Sequence, residues 1–200
     1  MIEGNFENKY EAKNPLKKIF VKNFLLSLIK LGRPAGNRPE VLEVGCGEGY
    51  LLEVMRKNYP QGRYWGIDLS GKMVSLAQRK NPQAKIIKAN AEQLPFKNNR
   101  FDLVLLCEVL EHLENPVRAI AEASRVTKQN CLFSIPLEPW WRILNLLRLK
   151  YVSGLGNTPG HINHWTPKQF ISQIKPYFKN IELQFCFPWI MVKTSRKNLL

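Results

Sequence analysis

The stretch Val41-Leu42-Glu43-Val44-Gly45-Cys46-Gly47-Glu48-Gly49 constrains this chain more than any other. A short apolar strand runs into three glycines at alternate positions, and the helical pattern Leu51-Leu52-Glu53-Val54-Met55 follows at once. Glycine at such points permits a tight turn and lets the backbone approach a ligand closely. A second strand, Tyr64-Trp65-Gly66-Ile67-Asp68, ends on an acid 19 positions after Gly49. In a doubly wound sheet that places Asp68 at the C-terminal edge beside the glycine loop. A carboxylate there can accept both hydroxyls of a ribose.

The rest of the chain keeps the same rhythm. Residues 72–80 read as a helix, 85–89 as a third strand and 101–106 as a fourth, apolar enough to be buried on both faces. A helix with a start at Asn115-Pro116 and a fifth strand at 131–135 follow. Alternation of this kind implies a parallel sheet with helices on both sides. Before it, Asn14-Pro15 opens a helix whose apolar residues Ile19, Phe20, Phe24, Leu28 and Leu31 recur at helical spacing, with Lys17, Lys18 and Lys22 elsewhere. After Pro136 the rhythm breaks. Residues 138–151 are predicted to be a helix, with Trp140, Ile143, Leu144, Leu147 and Tyr151 on one stripe. Residues 153–164 read as a Gly-rich loop, Thr166-Pro167 as a helix start, and 181–187 and 189–194 as strands around Pro188. One domain is expected. It comprises an N-terminal amphipathic helix (1–39), a cofactor-binding core (40–136), an insertion covering the substrate (137–165) and a C-terminal helix with a strand pair (166–200).

Two cofactor classes share the strand-glycine-helix plan. Dinucleotides place a pyrophosphate at the helix N-terminus. Here Glu43 precedes the glycines, unfavourable beside a phosphate and favourable beside the sulfonium and ammonium of S-adenosylmethionine. Two more stretches agree in order: Asn90-Ala91-Glu92-Gln93-Leu94-Pro95-Phe96 after strand three, and Phe101 to Leu113 over strand four and its exit. With these, the sequence resembles the class I S-adenosylmethionine-dependent methyltransferases, in the branch that includes ubiquinone and menaquinone biosynthesis enzymes. The resemblance is strong over 40–135 and looser to 180. It implies a Rossmann-like, seven-stranded, mostly parallel sheet with helices on both faces, the last strand antiparallel and a helical cap after strand five.

It also implies roles. Gly45, Cys46, Gly47 and Gly49 would pack on the methionine part, with Glu43 near its amino group. Asp68 would hold the ribose. Leu69 and Met73 would sandwich the adenine, and Asn90, Ala91 and Glu92 would read its edge. Asn90 departs from the aspartate usual in the family. An amide can still accept from the adenine amine and also donate to a ring nitrogen. Cys107 would offer its carbonyl to the cofactor's amino group, and S-adenosylhomocysteine would be the product.

Glu108 and His112 are the candidate catalytic residues. A base is needed only if the acceptor must lose a proton, and an imidazole titrates near neutrality. Glu108, Glu111 and His112, at i, i+3 and i+4, would share one helix face. Together with His161 or His164 they resemble the set of metal-assisted O-methyltransferases acting on catechol-type quinone precursors and on RNA 3′ ends. The sequence leaves open a divalent metal here, and equally a local hydrogen-bonding role. The Trp- and Leu-rich segment 138–152 has two readings, a helix packed on the core or a cap over a greasy substrate, able to rest on a membrane surface.

Composition narrows the partners. The chain of 200 residues has 30 Lys+Arg against 16 Asp+Glu, a formal +14. Residues 1–40 carry +4, 41–140 only +2, and 141–200 carry +8. Such a surplus attracts nucleic acid, an anionic membrane face or an acidic substrate. The tetrad [DNS]-Pro-Pro-[Tyr/Phe] of base-methylating enzymes is absent after strand four, where Leu105-Leu106-Cys107-Glu108 stands instead. The expected acceptor is therefore a small, hydrophobic or lipid-linked molecule methylated on oxygen or carbon, with nucleic acid disfavoured. An RNA 2′-O-methyltransferase and a non-catalytic cofactor-binding protein are the alternatives. Four scattered cysteines without a CxxC pair and a polar stretch at 1–18 fit a cytoplasmic protein, in peripheral contact with a membrane or not. Nothing in the sequence fixes the oligomeric state.

Overall fold

The computed structural model describes residues 14–197. Asn14 caps the first helix, α1 (Pro15–Leu31), by accepting the backbone N–H groups of Leu16 and Lys17, with proline at the first helical position. The core then alternates β1 (Glu40–Val44), α2 (Tyr50–Asn58), β2 (Arg63–Asp68), α3 (Gly71–Lys80), β3 (Lys85–Lys88) and β4 (Phe101–Cys107). A 3-10 turn at Leu110–His112 leads into α4 (Pro116–Val126) and β5 (Thr127–Pro136). The last elements are α5 (Trp140–Leu147), α6 (Pro167–Ile174), β6 (Phe178–Cys186) and β7 (Trp189–Arg196). A capping box between Thr166 and Gln169 starts α6 at the predicted residue.

All seven strands join one sheet in the order β3-β2-β1-β4-β5-β7-β6. β1 to β5 are mutually parallel, and β7 runs antiparallel to both β5 and β6. Alternate side chains feed two separate cores. Leu42, Val104, Leu106 and Phe133 face α4 and α6, whereas Val41, Leu103, Leu105 and Leu132 face α1, α2 and α3. The central strand β4 is buried on both faces, as its apolar run predicts. The chain winds one way from β1 to β3 and the other way from β4 onward. The crevice above the β1/β4 boundary is where such a sheet binds ligands.

The structure departs from the sequence reading in the last third. The helix expected over 138–151 is confined to Trp140–Leu147, because Leu149 and Tyr151 adopt left-handed backbone (φ 51° and 54°) and turn the chain back. Its apolar stripe does not pack on the core. Trp140, Ile143 and Leu147 are exposed, Leu147 to 76%. The buried residue of α5 is polar Asn145, whose amide donates to the Gly156 carbonyl (2.9 Å) and the Thr158 hydroxyl (3.1 Å). β5 also starts earlier than predicted, directly from the end of α4.

Gly49 shows how closely the glycine loop is fitted. Its φ is +78°, and a Cβ there would stand 2.5 Å from the Asn81 amide nitrogen and 3.1 Å from Ala77 Cα. Asn81, fully buried on the end of α3, donates in turn to the Gly49 carbonyl at 2.9 Å. Gly49→Ala is therefore expected to lower stability by about 1–3 kcal/mol in denaturant unfolding. A midpoint equal to wild type would mean that the loop is slack.

Candidate active site

A cavity of about 760 Å³ opens at the C-terminal ends of the parallel strands, over the β1/β4 boundary. Its first half is made by the glycine loop and β2. The loop turns tightly, with Gly49 N–H donating to the Cys46 carbonyl (2.8 Å), and Cys46 N–H donating to the Ile67 carbonyl of β2 (2.8 Å). The carboxylate of Asp68 accepts the Gly47 N–H (2.9 Å) and the Ser70 N–H (2.9 Å), so it is fixed against the loop. Glu43, at 3% exposure, lines the same wall, and its Oε2 has no hydrogen-bond partner. Burial drives its carboxyl well above the ordinary carboxylate range, the Leu52 N–H opposes this, and the nearby Asp68 charge adds to it. A buried, orphaned carboxylate oxygen facing a cavity fits a cationic ligand group. Burial, with the Glu43 and Asp68 charges, also holds the Cys46 thiol far above its usual value. Burial, with the Glu108 charge, raises Cys186 to about 12, so neither offers a thiolate at neutral pH.

The predicted cofactor residues divide. Glu43, Gly45, Cys46, Asp68, Leu69, Asn90, Ala91 and Cys107 line the cavity. Gly47, Gly49, Met73 and Glu92 do not. Gly47 touches it only through the hydrogen bond to Asp68, and Gly49 packs on α3. Met73 is buried at 3% exposure within α3, while the Glu92 carboxylate turns away to accept the Asn115 N–H at 3.1 Å. The Asn90 side-chain oxygen accepts the Glu92 N–H at 2.9 Å and shapes this turn.

Glu108, Glu111 and His112 do not share a helix face. Glu108 has φ +59° and precedes a single 3-10 turn, so the i, i+3, i+4 geometry is never formed. Its carboxylate is held by the Ser134 hydroxyl (3.1 Å) and the Trp189 indole N–H (2.5 Å), against β5 and β7. Glu111, His112 and His161 do come together, with their ligating atoms within 4.8 Å of one another. His112 Nδ1 lies 2.9 Å from the Gly160 carbonyl. A carbonyl only accepts, so Nδ1 carries a proton, and in the neutral ring the lone pair is then on Nε2. His164 is not part of the cluster; its Nδ1 pairs with Glu138 Oε1 at 3.3 Å.

His161 arrives from the loop after α5, and the loop is clamped to the 3-10 turn. The N–H groups of Ile162 and Asn163 donate to the Glu111 carbonyl, and the Asn163 amide donates to the Leu110 and Leu113 carbonyls (3.2 and 2.6 Å). Trp141 stacks on His161 (5.9 Å, 21°), and His161 meets His112 edge-on (4.9 Å, 84°). The Trp141 indole donates to Thr158 at 3.0 Å and its ring lies 5.5 Å from that of Trp189. The second half of the cavity is thus walled by Trp141, Trp189, Leu144, Pro188 and, from α1, Phe20. The sequence stripe pointed to Trp140, one residue off: Trp140 is in solvent and Trp141 faces the cavity. No spacing signal marks Trp189 or Thr158, which reach the site through tertiary contacts alone.

Residues 42–135 match the family model described as a methyltransferase domain. Over 95 residues the chain is 35% identical to a demethylmenaquinone methyltransferase of Lactiplantibacillus plantarum, covering 44% of this chain and 40% of that protein. It is 33% identical over 90 residues to a phthiotriol/phenolphthiotriol dimycocerosates methyltransferase of Mycobacterium ulcerans, covering 44% and 33%. The chain spans less than half the length of the curated relatives it matches. Among solved structures, magnesium protoporphyrin IX methyltransferase from Synechocystis with bound S-adenosylhomocysteine superposes with a TM-score of 0.67 at 19% identity, covering 94% of this chain and 91% of that one. That likeness establishes the fold. The sheet order and the glycine loop agree with the family match: over residues 42–135 the chain is similar to the methyltransferase-domain family, and its fold is that of the S-adenosylmethionine-dependent methyltransferase structures it superposes on.

Proposed function

We propose that this protein is an enzyme that moves a methyl group to oxygen or carbon of a small, hydrophobic or lipid-like acceptor. The observation that carries this reading is the two-part cavity: an acid-lined half on the glycine loop, joined to an aromatic half that ends on Glu111, His112 and His161. When bound, S-adenosylmethionine supplies a methyl group already activated by a sulfonium, and S-adenosylhomocysteine remains. Relatives named for quinone and lipid substrates support an apolar acceptor.

The chain's own residues bind, orient and exclude water. Glu43 would hold the cofactor's ammonium, and Asp68, fixed by Gly47 and Ser70, would take the ribose hydroxyls. Leu69, Asn90 and Ala91 would hold the adenine, and the Cys107 carbonyl would accept from the amino group. Trp141, Trp189, Leu144 and Phe20 form a dry wall around the acceptor, which favours in-line approach. His112 Nε2, with Nδ1 fixed on Gly160, accepts a proton from an acceptor hydroxyl. Glu108, secured by Ser134 and Trp189, shapes the wall between the two halves.

One observation favours a second reading of the same cluster. The ligating atoms of Glu111, His112 and His161 converge closely enough to hold a divalent cation, which would lower the pKa of an acceptor hydroxyl. Exposed Trp140, Leu147 and Leu149 around α5, and Leu16 and Ile19 on α1, supply apolar surface for peripheral membrane contact. No helix among the described residues is long and apolar enough to cross a membrane.

Asp68→Ala is expected to weaken S-adenosylhomocysteine binding at least about tenfold in calorimetry, since hydrogen bonds to a charged group are worth about 1.5–3 kcal/mol. Near-wild-type affinity would remove Asp68 from the ribose site.

Glu43 gives a pH signature. Its folded-state pKa is raised, so its contribution to stability is full below the unfolded value and fades as pH rises through the folded one. Unliganded protein should lose stability over that rise, and Glu43→Gln should flatten the slope. A cationic ligand reverses the preference, so binding of S-adenosylmethionine should release a proton. Calorimetry in buffers of different ionisation heat reads this release, and finding none would separate Glu43 from the ammonium.

His112→Ala should slow transfer by about 10²–10⁴-fold while leaving cofactor affinity unchanged. A chelator should abolish the residual dependence on added Mg²⁺ or Mn²⁺ only if the cluster holds metal. Turnover indifferent to both treatments would make the cluster structural.

A further inference from the structure

Two side chains of α5 meet the loop that follows it through hydrogens that can be counted. Trp141 and Asn145 stand about one helical turn apart on the same face. Trp141 has a single polar hydrogen, on its indole nitrogen, and the Asn145 amide has two. The indole donates to the Thr158 hydroxyl oxygen at 3.0 Å. The amide donates to that same oxygen at 3.1 Å and to the Gly156 carbonyl at 2.9 Å. The Gly156 carbonyl can only accept, which fixes the end of the amide that carries nitrogen. All three hydrogens are thereby used.

Thr158 is left one-sided. A hydroxyl has two lone pairs and one hydrogen. Here α5 occupies both lone pairs, so the group can act only as a donor. No acceptor for its hydrogen stands among the described residues. Thr158, Trp141 and Asn145 all line the cavity.

The loop is braced on both sides of Thr158. Before it, Arg142 Nε donates to the Leu155 carbonyl at 3.0 Å. Gly156, with φ +78°, crosses α5 so closely that a Cβ would collide with the Arg142 carbonyl oxygen. After it, the His161 N–H donates to the Thr158 carbonyl at 3.0 Å, and the Asn157 amide donates to the His161 carbonyl at 3.2 Å. The hydroxyl hydrogen is thus positioned by the fold and not used by it.

We infer that Thr158 determines specificity: its hydroxyl donates to a carbonyl oxygen of the methyl acceptor, in a ketone, ester or amide group seated beside Trp141. This rests on the methyl-transfer reading of the same cavity and adds a functional group to the acceptor. A hydroxyl with an open lone pair would take a donor or an acceptor alike. At Thr158 an N–H group would meet occupied lone pairs, and a methylene would leave the hydrogen unpaired. A neutral carbonyl suits the place better than a carboxylate, because the neighbouring Trp141, Leu144 and Trp189 offer a charge little solvation.

The test is binding, with 1-indanone and indane as probes, which share a ring system and differ by a carbonyl against a methylene. Each is titrated into full-length protein saturated with S-adenosylhomocysteine and read by tryptophan fluorescence and calorimetry. The quantity of interest is the ratio of the two affinities, from which the general apolar attraction of the wall cancels. Thr158→Val should lower the ratio of 1-indanone to indane affinity about fivefold, as expected for the loss of one hydrogen bond. Thr158→Ala should do the same, and Thr158→Ser should keep the wild-type ratio. All three should bind S-adenosylhomocysteine as wild type does, which reports an intact fold. An unchanged ratio in Thr158→Val and Thr158→Ala overturns the proposal, and so does a ratio that Thr158→Ser fails to keep. Loss of S-adenosylhomocysteine binding in the valine and alanine variants would make Thr158 a brace and overturn it too, as would failure of wild type to bind either probe. If the binding of indane-1-carboxylate depends on Thr158 and that of 1-indanone does not, the neutral carbonyl is overturned in favour of an anion. Failure of wild type to bind S-adenosylhomocysteine would instead overturn the parent reading.

Discussion

The two hydrogen bonds accepted by Asp68 hold the glycine-loop half of the cavity in place. One comes from Gly47 in the β1–α2 loop and the other from Ser70 at the start of α3. A single carboxylate therefore fixes two loops that leave neighbouring strands. Asn81 reinforces the arrangement from below by joining α3 to Gly49. The loop's left-handed glycines turn its backbone toward the cavity only because these partners hold it there. Glu43 sits close enough behind it to feel the Asp68 charge. A braced loop and a buried carboxyl with one unpartnered oxygen together form the acid-lined half of the cavity.

Much of this half was legible in the sequence. The strand-glycine-helix run, the acid ending the next strand and the doubly buried β4 follow from periodicity and turn chemistry, and they reappear at nearly the expected residues. Gly47, Gly49, Met73 and Glu92 lie outside the cavity wall for different reasons. The two glycines are backbone supports, Gly47 donating to Asp68 and Gly49 packing on α3. For Met73 and Glu92, motif position places a residue near a site but does not say which way its side chain turns. Met73 turns into the core, and Glu92 turns to the backbone of Asn115.

The other half was poorly legible because its geometry is tertiary. The spacing of Glu108, Glu111 and His112 suggests a helix face. Glu108 is instead drawn into left-handed backbone between Ser134 and Trp189, which lie 26 and 81 residues away. In α5 the usual rule that the apolar face is buried is reversed. Asn145 satisfies two polar groups of the returning loop, while Trp140, Ile143 and Leu147 are left outside. That same loop delivers His161, and no local pattern reveals that it pairs with a histidine 49 positions earlier.

The division of the cavity also follows the order of the chain. Everything that meets the proposed cofactor is encoded between β1 and the 3-10 turn, while Trp141, Arg148, Lys150, His161 and Trp189 follow Pro136. Substitutions in the later stretch can therefore reshape the aromatic half of the cavity without touching the residues of the glycine-loop half. The clamp between Glu111 and the loop at Ile162 and Asn163 is made through main-chain atoms at Glu111 and at both donors. These two bonds do not depend on side-chain identity, whereas the Asn163 amide, which donates to the Leu110 and Leu113 carbonyls, ties the same junction through one specific side chain.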